Sequence, residues 1–398
     1  MRILIAHSFY RVRGGEDRYV AQQVELLRGA GHEVRLEARA NADLPADAYT
    51  ATRMTYAPRE HRKMLRLLDR FGPDVVHLHN PYPSYGPAVH LGASSRRIPL
   101  VQTTHNARLR CPNGLLFTEG SSCRRCVAGA YQNAVLHHCF PTRTQAVGYA
   151  AALWTHRFLL RLDERVDTFV APTRFVRQRL VGWGIDAERI AVIPYFATTP
   201  DRPAPPGIGG LCSGRLSPEK GVDVLLDALA LLGDPPFEIA GDGPDGPRLR
   251  ALADRLGLRR LSFLGELDRD GMAAALDRAR YVVMPSRAEE AAGFAGLEAM
   301  AAGRPLVASD NGGLPELVGE GRGRLCAPGS AESLAGAMAA YVNDPGSAAA
   351  DGARGWAFVR ESLTPERHLA RLMAAYARAT ELARDMRRPR SERSLAES

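Results

Sequence analysis

The stretch SGRLSPEKGVDVLLDAL, Ser213 to Leu229, sets Arg215 and Lys220 in a loop between a strand-like run and a helix-like one. A guanidinium and an ammonium a few residues apart can grip a diphosphate, the first through paired hydrogen bonds and the second as a point charge. The competing fate is a loop of solvated charges. Downstream, MPSRAEEAAGFAGLEAMAAGRPLVAS repeats the order strand, loop, helix, strand, with Glu290 in the loop and Glu298 in the helix. Carboxylates accept hydrogen bonds from hydroxyls. Around Phe294, Gly293 and Ala295 leave backbone N–H groups uncovered at the helix start, which suits a phosphate or the hydroxyl-rich face of a sugar. Two surface glutamates on an amphipathic helix are the alternative.

Three weaker signals accompany these. In IAGDGPDGPRLRALA, Asp242 either caps the following helix or touches a ligand. In HSFYRVRGGEDRYVAQQVELL, Gly14 and Gly15 separate the first strand from the first helix, with Glu16 in its first turn. Glycines there let backbone approach a phosphate closely. The pattern is not GxGxxG, which disfavours nicotinamide chemistry. His77 and His79 in DVVHLHNP and His105 in VQTTHN fall at expected strand ends, where each is either a satisfied core residue or a group at the site.

Elements must place these residues together. Short β-rich runs alternate with helical patterns, which implies an α/β chain with doubly wound parallel sheets and a cleft at the carboxyl ends of the strands. Expected strands are Arg2–His7, Glu33–Ala38, Asp74–His79, Leu100–His105 and Thr168–Pro172, then Leu211–Gly214, Phe237–Gly241, Leu261–Gly265, Tyr281–Pro285, Pro305–Ser309 and Arg324–Ala327. The proline- and glycine-rich segment 196–210 reads as a linker between domains 1–195 and 211–360. A helix over 361–386 is placed to fold back onto the first domain, and 387–398 reads as a disordered tail.

The chain has 398 residues, 45% hydrophobic and 24% charged, enough for two domains with a core each. A net charge of +8 points to an anionic partner. The basic residues are scattered outside the tail, which argues against nucleic acid. The first apolar run, MRILIAHSF, is too short for a signal peptide and reads as a strand, so a cytoplasmic protein is expected. Ala146–Leu162 falls short of the roughly 20 apolar residues that span a bilayer. It reads as an amphipathic helix with Trp154, Phe158 and Leu162 on one face.

The Gly14-Gly15-Glu16 loop, PDVVHLHNP, SGRLSPEKG, GDGP and EEAAGFAGLEAMAAGRPLVAS, in that order, resemble the family 4 retaining glycosyltransferases of the GT-B fold, over most of the chain to about residue 340. The resemblance implies two Rossmann-like domains, the first binding the acceptor and the second a nucleotide-diphosphate sugar, most simply a UDP-sugar. It makes Arg215 and Lys220 the clamp on the donor diphosphate, Glu290 the contact to the donor sugar and Glu298 the contact to the ribose. Gly15 matches the loop over the phosphates and His105 a histidine near donor sugar and acceptor. No cofactor is required for catalysis in this family, and no enzymic nucleophile is assigned. Family members commonly carry phenylalanine two residues after the first glutamate; here Phe294 comes four after Glu290, which bears on the donor sugar read. The acceptor is a lipid-linked saccharide or polysaccharide precursor, or a small soluble hydroxylated natural-product core. The first suits peripheral contact with an anionic membrane. A nucleotide-sugar 2-epimerase and a binding protein without transfer activity are the competing functions.

Cys111, Cys123, Cys126 and Cys139 cluster within 106–142, an insertion that resembles one in a bacterial subgroup of these enzymes. A CxxC flanked by two more cysteines reads first as a structural Zn2+ site, with His137 or His138 able to replace Cys139. Thiols without metal are the alternative.

Overall fold

Runs of Val, Ile and Leu that can be buried on both faces build parallel sheets. A computed structural model, which describes residues 1–10, 14–41, 53–203 and 205–385, contains two such sheets. In chain order the strands of the first half are β1 (Arg2–Phe9), β2 (Glu33–Ala40), β3 (Val75–Leu78), β4 (Leu100–Thr103), the two-residue β5 (Phe117–Thr118) and β6 (Ser121–Ser122), β7 (Thr168–Ala171) and β8 (Ile190–Val192). Those of the second are β9 (Gly209–Ser213), β10 (Phe237–Ala240), β11 (Leu261–Gly265), β12 (Ala279–Met284), β13 (Leu306–Ser309) and β14 (Gly323–Cys326). Each expected strand lies within a residue or two of an observed one. The reading lacks only β8 among the long-sheet strands, because three residues with two half-buried are too short to show a pattern.

The first sheet has the order β2-β1-β3-β4-β7-β8 and the second β11-β10-β9-β12-β13-β14. Every pairing in both is parallel. The order reverses between β1 and β3 in one sheet and between β9 and β12 in the other. Loops at the carboxyl side of such a switch point diverge and leave room for a ligand. The loops after β1, β3, β9 and β12 carry Gly14, His79, Arg215 and Glu290 respectively.

Contacts group residues 1–118, 124–193 and those from Leu369 onward into one unit, and 119–123 with 194–368 into another. The last helix, Pro365–Asp385, therefore packs from Leu369 on with the first unit, its Tyr376 wholly buried there. The expected tail, 387–398, lies outside the described residues. The core of the second unit gathers Leu225, Leu226 and Leu229 with Phe237, Tyr281 and Val283.

One element departs from expectation. The helix Arg143–Trp154 runs into a π-helical turn, Thr155–Leu159, and Arg161 then takes a left-handed φ of 47°. This breaks the helical spacing, so Leu162 is buried while Trp154 and Phe158 are exposed by 47% and 45%. The three do not share a face. No helix among the described residues is long and apolar enough to cross a membrane.

Candidate active site

In the second unit the two cationic side chains each meet a carboxylate. Gly221 follows Lys220 with a left-handed φ of 66°, and a Cβ there would lie 2.1 Å from the carbonyl oxygen of Pro285. Only glycine lets the loop after β9 lie this close to the loop after β12. Lys220 Nζ consequently donates to Glu290 Oε1 at 2.5 Å, and Ser286 Oγ donates to the same oxygen at 2.6 Å. Arg215 Nη2 donates to Glu219 Oε1 at 2.6 Å, where Ser217 Oγ also donates at 2.6 Å. The carbonyl of Glu219 accepts the N–H groups of Arg287 and Ala288, which ties the two loops a second time.

These contacts set the charge state. Burial pushes the Glu290 carboxyl up, but Lys220, Ser286 and Arg215 together outweigh it and hold the group below the ordinary carboxylate range. Glu219 likewise ends low, because Ser217 and Arg215 outweigh its burial. Both are ionised at neutral pH. Two cations and two carboxylates balance locally, and the Arg215 side chain stays 47% exposed, so donors remain for a diphosphate.

The helix that follows, Phe294–Ala301, starts at Gly293, whose φ is 68° and whose end is capped by no side chain. A Cβ on Gly293 would lie 2.6 Å from Leu314, so the uncovered helix start depends on glycine. Phe294 is buried edge-on to Tyr195, with ring centroids 6.0 Å apart, and takes a packing role. Ala295 and Glu298 are half-buried on the helix. Asp242 does not cap the following helix: its Oδ1 accepts the N–H of Gly243 at 2.7 Å, and Asp245 precedes the helix. That carboxylate stabilises its own turn.

In the first unit, Gly14 and Gly15 open the helix Gly15–Gly29, and Asp17 organises them. Asp17 Oδ2 accepts the N–H of Gly14 at 3.1 Å, while its Oδ1 accepts His7 Nε2 at 2.7 Å. Beside it Tyr10 donates its hydroxyl to Glu16 at 2.9 Å and accepts from Asn106 at 3.0 Å. Burial, reinforced by Asp17, pushes the Glu16 carboxyl up against the opposing pull of His7, Tyr10 and Arg108. This joins the glycine loop after β1 to the loop after β4 that carries His105.

The three histidines divide between the two readings. His77 is a core residue within β3, its ring held by Tyr376 at 2.8 Å and Thr103 at 2.7 Å. His79, just past β3, bonds His105 across 2.8 Å. Burial, then His7 and His77, pushes the His105 imidazole well below its ordinary range, so it is neutral at pH 7. His79 and His105 line a cavity of about 40 Å³ with Asn106, Arg108, Tyr82 and His156. Thr104 Oγ1, 5% exposed as a residue, is a buried polar atom on that wall with no protein partner. The imidazole, amide and hydroxyl groups on the cavity wall can meet water or hydroxyl groups.

Cys111 packs with Ala107 and Leu116, whereas Cys126 packs in a separate cluster with Tyr82, Tyr131 and Leu153. Burial, with Cys139 adding to it, pushes the Cys111 thiol up. The Cys139 thiol reaches Thr118 at 3.7 Å. Among the described residues no group of three or more His, Cys, Asp or Glu is placed to hold a metal.

Sequence reasoning missed Glu219, Ser286, His7 and Asp17. The four-residue step from Arg215 to Glu219 is a visible ion-pair spacing, but Ser286 and the His7–Asp17 pair are set by loop packing and leave no local signal.

Comparison with known proteins gives the family and the fold. A family model described as Glycosyltransferase Family 4 matches residues 13–198, and one described as Glycosyl transferases group 1 matches 210–355. The phosphatidyl-myo-inositol mannosyltransferase of Mycobacterium leprae is 28% identical over 368 residues, 86% of this chain and 88% of that one. The glycogen synthase of Mycobacterium tuberculosis is 34% identical over 286 residues, 69% of this chain and 62% of its own. Among solved structures, Anabaena HepE in complex with UDP-glucose aligns with a TM-score of 0.69 at 20% identity, covering 95% of this chain and 99% of that one. The fold is GT-B.

Proposed function

The chain belongs to the family 4 and group 1 glycosyltransferases, and from that premise we propose that it moves a sugar, with retention of configuration, from a UDP-sugar to a hydroxyl of a lipid-linked saccharide. The observation that carries the reading is the paired arrangement of Arg215 with Glu219 and Lys220 with Glu290 at the switch point of the second sheet. Lys220 and Arg215 hold the donor diphosphate. Glu290, kept ionised and oriented by Ser286 and Lys220, accepts hydroxyls of the donor sugar, and Glu298 accepts from the ribose.

The bond from the sugar C1 to the diphosphate oxygen breaks, and its electron pair leaves with the diphosphate. The acceptor oxygen bonds C1 from the same face and gives its proton to a departing phosphate oxygen. Charge developing on the diphosphate is met by the two cations, already fixed in place by their carboxylates. Neutral His105 and the polar cavity beside it position the acceptor.

The neighbour solved with UDP-glucose supports a uridine donor, and the mannosyltransferase relative supports a lipid-borne acceptor. Exposed Val147, Trp154, Phe158 and Leu159, with exposed Arg143 and Arg161 nearby, supply the apolar and cationic groups that bind an anionic membrane surface. The test is a panel of nucleoside diphosphates and their sugars by calorimetry, followed by UDP release with lipid-linked and soluble saccharides. Selective binding of UDP and acceptor-dependent release support the proposal. Donor epimerised without acceptor favours the epimerase, and binding with no transfer to any acceptor favours a binding protein.

A further inference from the structure

Tyr376, His77 and His79 form a chain of hydrogen bonds and ring contacts that ends on His105. Tyr376 of the last helix and Thr103 of β4 hold the two nitrogens of His77. His77 stacks on His79 with ring centroids 4.3 Å apart and planes 27° from parallel. His79 in turn lies near-parallel to His105, at 5.1 Å and 23°, while its Nδ1 bonds His105 Nε2. Tyr19 stands edge-on to both rings, at 6.0 and 5.6 Å. His7, anchored by Asp17, meets the His79 ring edge-on at 6.2 Å. The His79 ring is thus packed by His77 and His105 and flanked by two edge-on rings, and it is 3% exposed.

A hydrogen bond between two imidazole nitrogens needs a proton on one and a lone pair on the other. Which nitrogen of a neutral histidine carries its proton is set by the bond its other nitrogen or partner makes. We propose that His79 is a positioning residue for glycosyl transfer, fixing the tautomer and ring plane of His105, with Tyr376 acting on it through His77. The inference rests on the reading of His105 as the site histidine. Its consequence is that the last helix takes part in shaping the acceptor side of the site.

The test uses the full chain with 15N-labelled histidine at neutral pH. The His105 signals are assigned by their loss in His105→Asn, and the wild type is expected to show one dominant tautomer. His79→Asn sets an amide where Nδ1 stood and restores that tautomer, whereas His79→Gln and His79→Phe leave His105 as a mixture. Turnover, read as acceptor-dependent UDP release, is expected to fall at least ~10-fold in the Gln and Phe variants, as for other histidines freed from one tautomer, with UDP affinity unchanged. Should His79→Phe not fold, the Asn and Gln pair decides, since a purely structural role penalises both amides alike. A His105 tautomer unaltered in His79→Gln overturns the inference. If His105→Asn itself keeps wild-type turnover, the reading of His105 fails; if it loses turnover while His79→Gln does not, only the positioning role fails.

Discussion

Lys220 Nζ and Glu290 Oε1 lie 2.5 Å apart, although seventy positions of sequence separate the two residues. The contact joins the loops after β9 and β12, the two strands between which the second sheet reverses its order. On the proposed reading, the cation that grips the donor phosphate is also the group that keeps the sugar-binding carboxylate ionised. Binding and turnover respond differently when it is broken.

Glu290→Gln removes the charge that Lys220 and Ser286 hold. The ammonium is then freer to meet a diphosphate, so UDP affinity is expected to stay within ~3-fold or improve, while turnover falls ~100-fold, the scale seen when one group at a reacting centre is lost. Calorimetry and initial rates on one preparation separate the two effects.

Glu219→Gln takes the charge from the group that orients Arg215. Arg215 stays cationic but loses its fixed direction, and UDP binding is expected to weaken by ~3- to 10-fold, about the value of one charge-assisted hydrogen bond diminished in strength. Equal affinities would assign Glu219 to folding alone.

Gly221→Ala tests the approach of the two loops. The left-handed φ of 66° and the 2.1 Å distance from a Cβ to the Pro285 carbonyl oxygen leave no room for a side chain. A stability loss above ~1 kcal/mol is expected from the backbone conformation alone, with weaker UDP binding as Lys220 moves. Denaturant titration reads the first and calorimetry the second.

Burial depresses His90 and His156 from 6.5 to about 4, so both are neutral in the folded chain. Below pH 6.5 the unfolded chain takes up protons that the folded one refuses. Stability is therefore full above that pH and falls as pH drops toward 4, by up to ~1.4 kcal/mol per pH unit for each histidine. Denaturant curves between pH 7 and 5 should show the slope, and His90→Gln should flatten it by about one proton.

Much of this arrangement is legible in the amino-acid sequence. The strands follow from short apolar runs such as Ile3–Ala6, fully buried as parallel strands are, and Arg215, Lys220 and Glu290 were visible as charges at expected strand ends. What the sequence hides is partnership. Ser286 and Glu219 converge on the clamp only because two glycine-dependent loops touch, and His7 meets Asp17 through the turn of one loop. The spacing of Trp154, Phe158 and Leu162 failed because a π-helical turn adds a residue that periodicity cannot foresee.

The most direct measurement of the central claim is the calorimetric affinity for UDP of the wild-type chain beside Arg215→Ala and Lys220→Ala. The expected result is selective binding of UDP by the wild type and a loss of ~10-fold or more in each variant, the scale of a truncated charged hydrogen bond. Wild-type affinity in both variants would contradict the assignment of these two side chains to the donor diphosphate.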